Sequence, residues 1–284
     1  MSIKIVTDTG SDLPAHLAEQ HDIHIVPLNV MFDDDVYKDG VDITVEEFNN
    51  KLFVEGKLPK TSQPSPADFL NTYEQLLEQG HSIISIHVSS KLSGTYNSAI
   101  QASESIAKPS GQEISVIDSL KASIPITLGV LATANHLSAN PSITLDELSV
   151  FAENTLRKCS VYVALNTLEY LHKGGRIGKA SALLGTMLRV KPILSLESGE
   201  VVPIAKCRSL TQSLQKMTEL IAVEGELQSA AVIYNTDTET KETLKAQLLS
   251  IQPNLDLIET TFGPTIGSYV GPNAIGLAAL PKSS

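Results

Sequence analysis

Short β-branched runs that alternate with helical stretches constrain this chain more than any other feature. Three runs in the first half predict buried strands: residues 3–7, 82–88 and 114–118. Helices are predicted after them, at residues 94–107, 124–137 and 145–156. Residues 23–32 predict a longer strand in which Pro27 marks an edge or a bend. Alternation of this kind predicts a largely parallel sheet that helices cover.

The second half of the chain is richer in strands. Six runs are typical of strands: residues 161–165, 191–196, 200–205, 230–234, 257–261 and 274–280. A tight hairpin is predicted at 196–201, and helices are predicted at 210–223 and 239–249. Because 284 residues suit two cores better than one, we expect two domains. The first, at 1–157, is a largely parallel α/β domain, and the second, at 158–284, is an α+β domain with a mixed or antiparallel sheet.

The composition argues against several classes of protein. Trp is absent and aromatic residues make up 5% of the chain, so the core must be aliphatic. The net charge of −11 argues against nucleic acid as the main partner. No apolar run approaches the ~20 residues that span a bilayer, and Asp8 comes too early for a signal peptide. Cys159 and Cys207 lack metal-ligand spacing, so we expect buried, reduced thiols in a cytoplasmic protein.

Positive charge is concentrated in one segment of this acidic chain. Residues 157–216 contain ten Lys or Arg against three Asp or Glu. The segment is either a solvated surface on which charges cluster by chance, or a face for an anion or an acidic partner.

Two hydroxyl-rich loops are the strongest candidates for a binding site. The loop at 89–95 follows a predicted strand and precedes a predicted helix, where free backbone N–H groups favour an anion. Ser93 and Thr95 add hydroxyl donors, and Gly94 lets a ligand approach the backbone. This loop suits a carboxylate or a phosphate. The alternative is that Ser93 simply caps the helix.

The second loop, at 61–66, contains three hydroxyl groups, an amide and two prolines. Thr61 and Ser62 supply the first two hydroxyls. Pro64 and Pro66 fix the backbone, which reduces the entropy lost when the hydroxyls are held in place. The alternative is a rigid connector that leads into a helix.

Three other patterns carry weaker signals. Asp8 and Asp12 end the first strand and could bind a metal, although such residues more often cap helices. Residues 174–181 look like a phosphate loop but lack its glycine spacing and its hydroxyl. No Ser-His-Asp order or Cys-His pair is evident, so nucleophilic catalysis lacks support. We therefore predict no catalytic residue, no metal and no cofactor.

Many motifs in the chain occur in a recognisable order. They include Ile-Val-Thr-Asp-Thr-Gly-Ser-Asp-Leu at 5–13, Thr-Ser-Gln-Pro-Ser-Pro at 61–66 and Ser-Ser-Lys-Leu-Ser-Gly-Thr-Tyr at 89–96. Further matching stretches lie at 26–28, 39–43, 116–119, 168–177 and 191–194. On these residues the chain resembles, nearly end to end, the DegV family of bacterial fatty-acid-binding proteins.

The resemblance implies a fold, a ligand and a partner. Two domains would enclose a tunnel for a long-chain fatty acid such as palmitate or oleate. The chain would be a lipid-binding subunit without its own ATP site. A separate subunit, the catalytic part of a fatty-acid kinase, would phosphorylate the bound carboxylate to an acyl-phosphate.

The same resemblance assigns roles to individual residues. The implied ligand-binding set is Thr61, Ser62, Ser93, Gly94, Thr95 and Tyr269. Thr61 and Ser93 would contact the carboxylate, and Arg176 and Arg208 would face the kinase or the phosphorylated head group. Tyr269 stands where the family pattern Ile-Gly-x-His-x-Gly-Pro has histidine. Because a phenol donates a hydrogen bond without carrying positive charge, the carboxylate is predicted to meet neutral donors.

Two other functions stay open. The chain could be a stand-alone phosphotransferase or hydrolase that uses Asp8, Asp12 and the hydroxyl-rich loops. It could also carry another apolar ligand, such as an isoprenoid or a sterol-like acid. ATP turnover by the isolated chain would indicate the first function, and the identity of a bound ligand would decide the second.

Overall fold

The computed structural model describes residues 2–235 and 238–282, and the side chains of 186–189 and 238 lie outside this description. Within it, the strands are β1 (Ile3–Asp8), β2 (Ile23–Val26), β3 (Asn29–Phe32), β4 (Asp35–Lys38), β5 (Lys60–Ser62), β6 (Ser82–His87), β7 (Ile114–Asp118), β8 (Ser160–Ala164), β9 (Lys191–Glu197), β10 (Glu200–Cys207), β11 (Leu227–Tyr234), β12 (Leu257–Thr261) and β13 (Ile275–Pro281).

The α-helices of the same residues are α1 (Ala15–Gln20), α2 (Val45–Asn49), α3 (Pro66–Glu78), α4 (Thr95–Ser105), α5 (Ile124–Ala139), α6 (Leu145–Lys158), α7 (Glu169–Lys173), α8 (Leu210–Ala222), α9 (Thr238–Ile251) and α10 (Pro264–Val270). A 3-10 turn lies at Thr9–Ser11, a longer 3-10 segment lies at Gly178–Arg189, and a π-helical turn lies at Asn50–Val54. In the part of the chain that the structure describes, no helix combines the length and the apolar character needed to cross a bilayer.

The N-terminal sheet is parallel, as the alternation of strands and helices predicts. Its order is β2-β1-β6-β7, and each neighbouring pair runs in the same direction. All six residues of β6 are buried. Burial on both faces explains why Ile83, Ile84 and Ile86 do not alternate with exposed polar residues.

The C-terminal sheet is mixed, and this prediction is also confirmed. Its order is β10-β9-β8-β13-β11-β12, with β11 and β12 parallel and the other pairs antiparallel. The predicted hairpin joins β9 to β10 through Ser198 and Gly199, which both adopt positive φ. Helices α8 and α9 pack on one face of this sheet, and α5 packs on the other.

The predicted single strand at 23–32 is wrong. Pro27 and Leu28 separate β2 from β3, and β3 leaves the parallel sheet for a small antiparallel sheet of order β4-β3-β5. Pro27 has no N–H to continue the ladder, and the Leu28 N–H donates to the Thr9 hydroxyl at 3.0 Å. The segment that sequence analysis treated as a loop therefore begins as strand β5, which carries Thr61 and Ser62.

A helix near the C-terminus packs against elements from the N-terminal part of the chain. Although α10 lies near the C-terminus, it contacts β3, β5 and α2, together with the turn that follows β1. It therefore lies between the small sheet and the rest of the molecule. The division into domains at 157 and 158 stays a prediction, and residues 1, 236, 237, 283 and 284 of the predicted domains lie outside the described residues.

Candidate ligand-binding site

A largely apolar cavity lies where the three sheets meet. It encloses about 960 Å³, counting the open space at its mouth. Its apolar lining residues are Leu28, Val88, Leu92, Ala122, Val161, Val163, Leu165, Leu171, Leu194, Leu196, Val201, Phe262, Ile266 and Val270. Residues 161 and 163 share one face of β8 because side chains alternate, and 165 follows directly after the strand, so period-two spacing is the signal for this wall. Such a surface suits a long aliphatic ligand.

Two hydroxyl groups from distant parts of the sequence meet in the wall of this cavity. The Thr61 Oγ1 and the Tyr269 hydroxyl share a hydrogen bond. Thr61 is fixed in the small sheet by its pairing with Val30, and Tyr269 projects from α10. Both line the cavity. Two of the predicted ligand-binding residues are thus neighbours although neither their spacing nor their elements suggest it.

Gly174 allows the Tyr269 ring to take this position. A Cβ at Gly174 would lie 2.5 Å from Tyr269 Cε1, which is far inside van der Waals contact. The ring therefore rests directly on the backbone at the end of α7. Gly174 opens the segment 174–181, which resembles a phosphate loop in sequence, and in the structure it has a packing role.

A guanidinium group lies beside Tyr269. The Arg176 Cζ is 5.4 Å from the Tyr269 ring centroid, within the range of a cation–π contact. Arg176 Nε donates to the Leu92 carbonyl at 3.1 Å, and one terminal nitrogen donates to the Gly174 carbonyl at 2.7 Å. These contacts fix the plane of the group in the cavity wall. A permanent positive charge thus lies against the ring of Tyr269, in addition to the neutral hydroxyl donors that the sequence predicts.

The 89–95 loop contributes one of its predicted residues to the cavity directly. Ser93 lines the wall, whereas Gly94 and Thr95 do not. Thr95 is buried, and its hydroxyl lies 2.8 Å from Ser93 Oγ, so it supports Ser93 from behind. Gly94 gives room to another side chain, since a Cβ there would lie 2.9 Å from Gln63 Cδ.

Both alternatives for these loops describe real contacts. Ser93 Oγ accepts from the Thr95 N–H at 3.3 Å at the start of α4, although the N-cap position itself is Gly94, which has no side chain to cap the helix. Ser65 and Asp68 form a reciprocal capping box that starts α3. Ser62 nevertheless lines the cavity, where its hydroxyl accepts from Asn29 Nδ2 at 3.2 Å. Capping by these loops is compatible with a role in binding.

Arg208 is not brought to the cavity. It is exposed after β10, and its backbone N–H donates to the Gln212 side chain. Elsewhere in the basic segment, Arg157, Lys173 and Lys216 each pair with an acid within one helical turn. A partner face that includes Arg208 stays a prediction, and it is separate from the wall that holds Arg176.

A buried polar chain behind the 89–95 loop was missed by sequence reasoning. His87 Nδ1 lies 2.8 Å from Asp8 Oδ2, and His87 Nε2 lies 2.6 Å from Ser85 Oγ. The Tyr73 hydroxyl donates to Ser85 at 2.7 Å. All four side chains are inaccessible to solvent, so this Ser-His-Asp arrangement cannot reach a substrate.

Asp8 is the anchor of that chain. Its carboxylate accepts from the Val88 N–H at 3.1 Å and from the Gly10 N–H at 2.9 Å. It therefore fixes the end of β6, from which the Ser93 loop departs, and caps the turn after β1. The capping alternative for this acid is the one that the structure contains.

The chain is similar to known proteins over nearly its whole length. A sequence profile described as "Uncharacterised protein, DegV family" matches residues 2–282. A DegV domain-containing protein of Halalkalibacterium halodurans is 34% identical over 282 residues, and the match covers 97% of each chain.

Solved structures give the same result. A structure described as fatty acid binding of a DegV family protein from Thermus thermophilus has a TM-score of 0.91 and 32% identity, and covers 99% of this chain and 100% of its own. A stearic acid-binding protein from Eubacterium ventriosum has a TM-score of 0.89 and 27% identity, with 99% and 98% covered. The resemblance seen in the sequence is therefore confirmed: this chain belongs to the DegV family.

Proposed function

We propose that the chain binds a long-chain fatty acid in this cavity and presents its carboxylate to a partner kinase, which forms an acyl-phosphate. The observation that carries the proposal is the Thr61–Tyr269 hydroxyl pair beside Arg176 in an otherwise apolar wall. An amphipathic ligand with one anionic end matches that lining. The fatty acids bound by the relatives from Thermus thermophilus and Eubacterium ventriosum support it.

The aliphatic wall provides the driving force for binding. Burial of each methylene contributes about 0.8 kcal/mol, so a chain of roughly fourteen methylenes contributes on the order of 10 kcal/mol before the costs of association. The wall is built mostly from Leu, Val and Ile, with the rings of Phe262 and Tyr269, so its larger part is aliphatic. Affinity in this proposal comes mainly from the acyl chain.

The polar part of the wall meets the carboxylate. An unpaired carboxylate removed from water would cost several kcal/mol, so hydrogen-bond donors must compensate it. Hydroxyls of Thr61, Tyr269 and Ser93 supply such donors, and Arg176 supplies positive charge nearby. Neutral hydroxyls leave an oxygen open to an incoming phosphoryl group, whereas a bidentate guanidinium clamp on both oxygens would cover it.

The test begins with the protein as purified from a bacterial host. Denaturing extraction and mass spectrometry should yield close to one fatty acid per chain, and the emptied protein should take up palmitate or oleate. Addition of ATP and a fatty-acid kinase catalytic subunit should then form acyl-phosphate. Protein that is repeatedly empty and refuses both acids would contradict binding. Acyl-phosphate formed without the added subunit would instead indicate a stand-alone enzyme.

A further inference from the structure

Helix α10 begins without a cap of its own. Gly263 occupies the position before the helix and has no side chain to accept a hydrogen bond, and Pro264 follows it. The first N–H groups of a helix need partners from elsewhere when local side chains cannot reach them. At seven residues, α10 is also too short to persist without tertiary contacts. Its position must be set by other parts of the chain.

Two carboxylates from the N-terminal half supply the missing acceptors. Asp12 Oδ1 accepts from the Gly263 N–H at 2.9 Å, and Asp39 Oδ2 accepts from the Thr265 N–H at 3.0 Å. The sequence separations are 251 and 226 residues. The absence of a side chain at Gly263 lets Asp12 approach closely, since a Cβ there would lie 3.0 Å from Asp12 Oδ1.

Both carboxyl groups are buried, which disfavours their charged forms. Asp12 is 7% exposed and Asp39 is 3% exposed. Burial raises the pKa of Asp39 and raises that of Asp12 well above its ordinary value, although hydrogen bonds oppose the effect. Asp8 is the other charged group that faces both, and it adds repulsion. A buried carboxylate needs hydrogen-bond donors, and few other donors are within reach. The contacts with the Gly263 and Thr265 N–H groups therefore fix the position of each acid.

Neither acid lines the ligand cavity, yet each connects to it through α10. Asp39 follows β4 in the small sheet, whose third strand carries Thr61. The same sheet therefore holds Thr61 directly and holds Tyr269 through the Asp39–Thr265 contact. Asp12 links α10 to α5, because its carboxylate also accepts from the Ser123 hydroxyl at the start of α5. A shift at the first turn of so short a helix would move Tyr269 at its last turn.

We propose that Asp12 and Asp39 are positioning residues for ligand recognition, which cap α10 from a distance and so set where the Tyr269 hydroxyl lies beside Thr61. This inference rests on the proposed function for its effect on affinity. The placement of Tyr269 in the ligand-free protein does not depend on that function. The two parts can therefore be tested separately.

The ligand-free test uses the chain labelled with 3-fluorotyrosine. The ¹⁹F resonance of Tyr269, one of seven tyrosines, is assigned by its loss in Tyr269→Phe. Thr61→Val shows where the resonance lies without its hydroxyl partner. Asp39→Ala removes the acceptor, and Asp39→Leu removes it while filling the space if the smaller side chain does not fold. Both variants, and Asp12→Ala, should move the resonance towards the Thr61→Val position. Asp39→Asn, which keeps an acceptor oxygen, should leave it close to the wild-type position.

The binding test compares palmitate with hexadecanol, which has the same chain without a carboxylate. Asp39→Ala and Asp12→Ala should weaken palmitate binding about tenfold and change hexadecanol binding less than twofold. Tyr269→Phe should remove most of this difference, because the acids act through that hydroxyl. Glu147→Gln is the matched control, since it alters an exposed carboxylate cap on α6.

The outcomes separate the two claims. An unmoved Tyr269 resonance in the folded Asp12 and Asp39 variants overturns the inference, whatever the ligand. Equal losses for palmitate and hexadecanol also overturn it, since they indicate general loosening of the fold. A resonance that moves as expected in a protein that takes up no palmitate leaves the positioning intact and contradicts the proposed function.

Discussion

The hydroxyl of Thr61 meets the phenol of Tyr269 across 208 residues of sequence. The first belongs to an antiparallel strand of the small sheet, and the second belongs to a short helix near the C-terminus. Each group has one hydrogen-bond partner in the other, and both face the cavity. In the proposed complex, one hydroxyl of this pair donates to the other, and the remaining O–H proton is free to donate to the carboxylate from a position that the protein has already set.

Removal of the Thr61 hydroxyl should weaken binding more than it affects stability. Thr61→Val keeps the shape of the side chain, and a lost hydrogen bond to a charged group costs about 1.5–3 kcal/mol. We expect at least a tenfold loss of palmitate affinity by titration calorimetry, with thermal unfolding nearly unchanged. Thr61→Ser, which keeps the hydroxyl, is the control. Unchanged affinity in Thr61→Val together with Ser93→Ala would remove both residues from the site.

Replacement of Arg176 should separate charge from geometry. Arg176→Lys keeps the charge, but an ammonium cannot span the Leu92 and Gly174 carbonyls as the guanidinium does. We expect palmitate affinity to fall several-fold and hexadecanol affinity to change little. Arg157→Lys, in an exposed pair with Glu153, should change neither. A matching loss for both ligands would mean that Arg176 only packs the wall.

The buried acids predict an unusual response of stability to pH. Burial raises the folded-state pKa of Asp39, so the folded chain binds a proton that the unfolded chain binds only near pH 4. The stabilisation from this proton is fully present below the unfolded pKa and is lost as pH rises through the folded pKa. We therefore expect wild type to gain free energy of unfolding relative to Asp39→Asn as pH falls from 7 towards 4.

Chemical denaturation of both proteins at pH 7 and at pH 4.5 measures this difference. Glu147→Gln serves again as the comparison, since hydrogen bonds from Thr144, the N-cap of α6, lower the folded-state pKa of Glu147. Because this pKa is lowered, wild type should lose free energy of unfolding relative to Glu147→Gln as pH falls. A wild-type advantage over Asp39→Asn that shrinks on acidification would contradict the raised pKa.

Loss of the buried Asp8 carboxylate should be severe. Asp8→Ala leaves the Val88 and Gly10 N–H groups and His87 Nδ1 without their acceptor in a region closed to water. Breaking one side of such a buried pair costs about 3–5 kcal/mol. Guanidinium denaturation should show a loss of that order, and Glu153→Ala at the surface should lose less than about 1 kcal/mol. A small loss at Asp8 would mean that water replaces the carboxylate.

The sequence predicts the two main sheets well because their strands carry strong local signals. The buried strand β6 is an Ile-rich run without exposed polar positions, and the strands of the cavity wall alternate with period two. The small sheet was missed because its strands have three or four residues, and β2 and β3 were joined into one strand across Pro27. Helix α10 was missed as well, since Gly267 and β-branched residues give it little helical propensity.

The site was only partly accessible to sequence reasoning. Hydroxyl-rich loops indicated Thr61, Ser62 and Ser93 because their residue types are suited to an anion. The contacts of Tyr269 and Arg176 depend on how distant elements pack, and no local pattern encodes such distances. The same holds for Asp12 and Asp39. The sequence indicated a metal ligand or a helix cap at Asp12, but nothing in it placed either carboxylate at the start of α10.

A crystal structure of the chain loaded with palmitate tests the central claim most directly. We predict that the carboxylate lies within hydrogen-bond distance of Thr61 Oγ1 and the Tyr269 hydroxyl, with the acyl chain along Val161, Leu194 and Phe262. A loaded protein with an empty cavity, or with palmitate bound at another surface, would contradict the account.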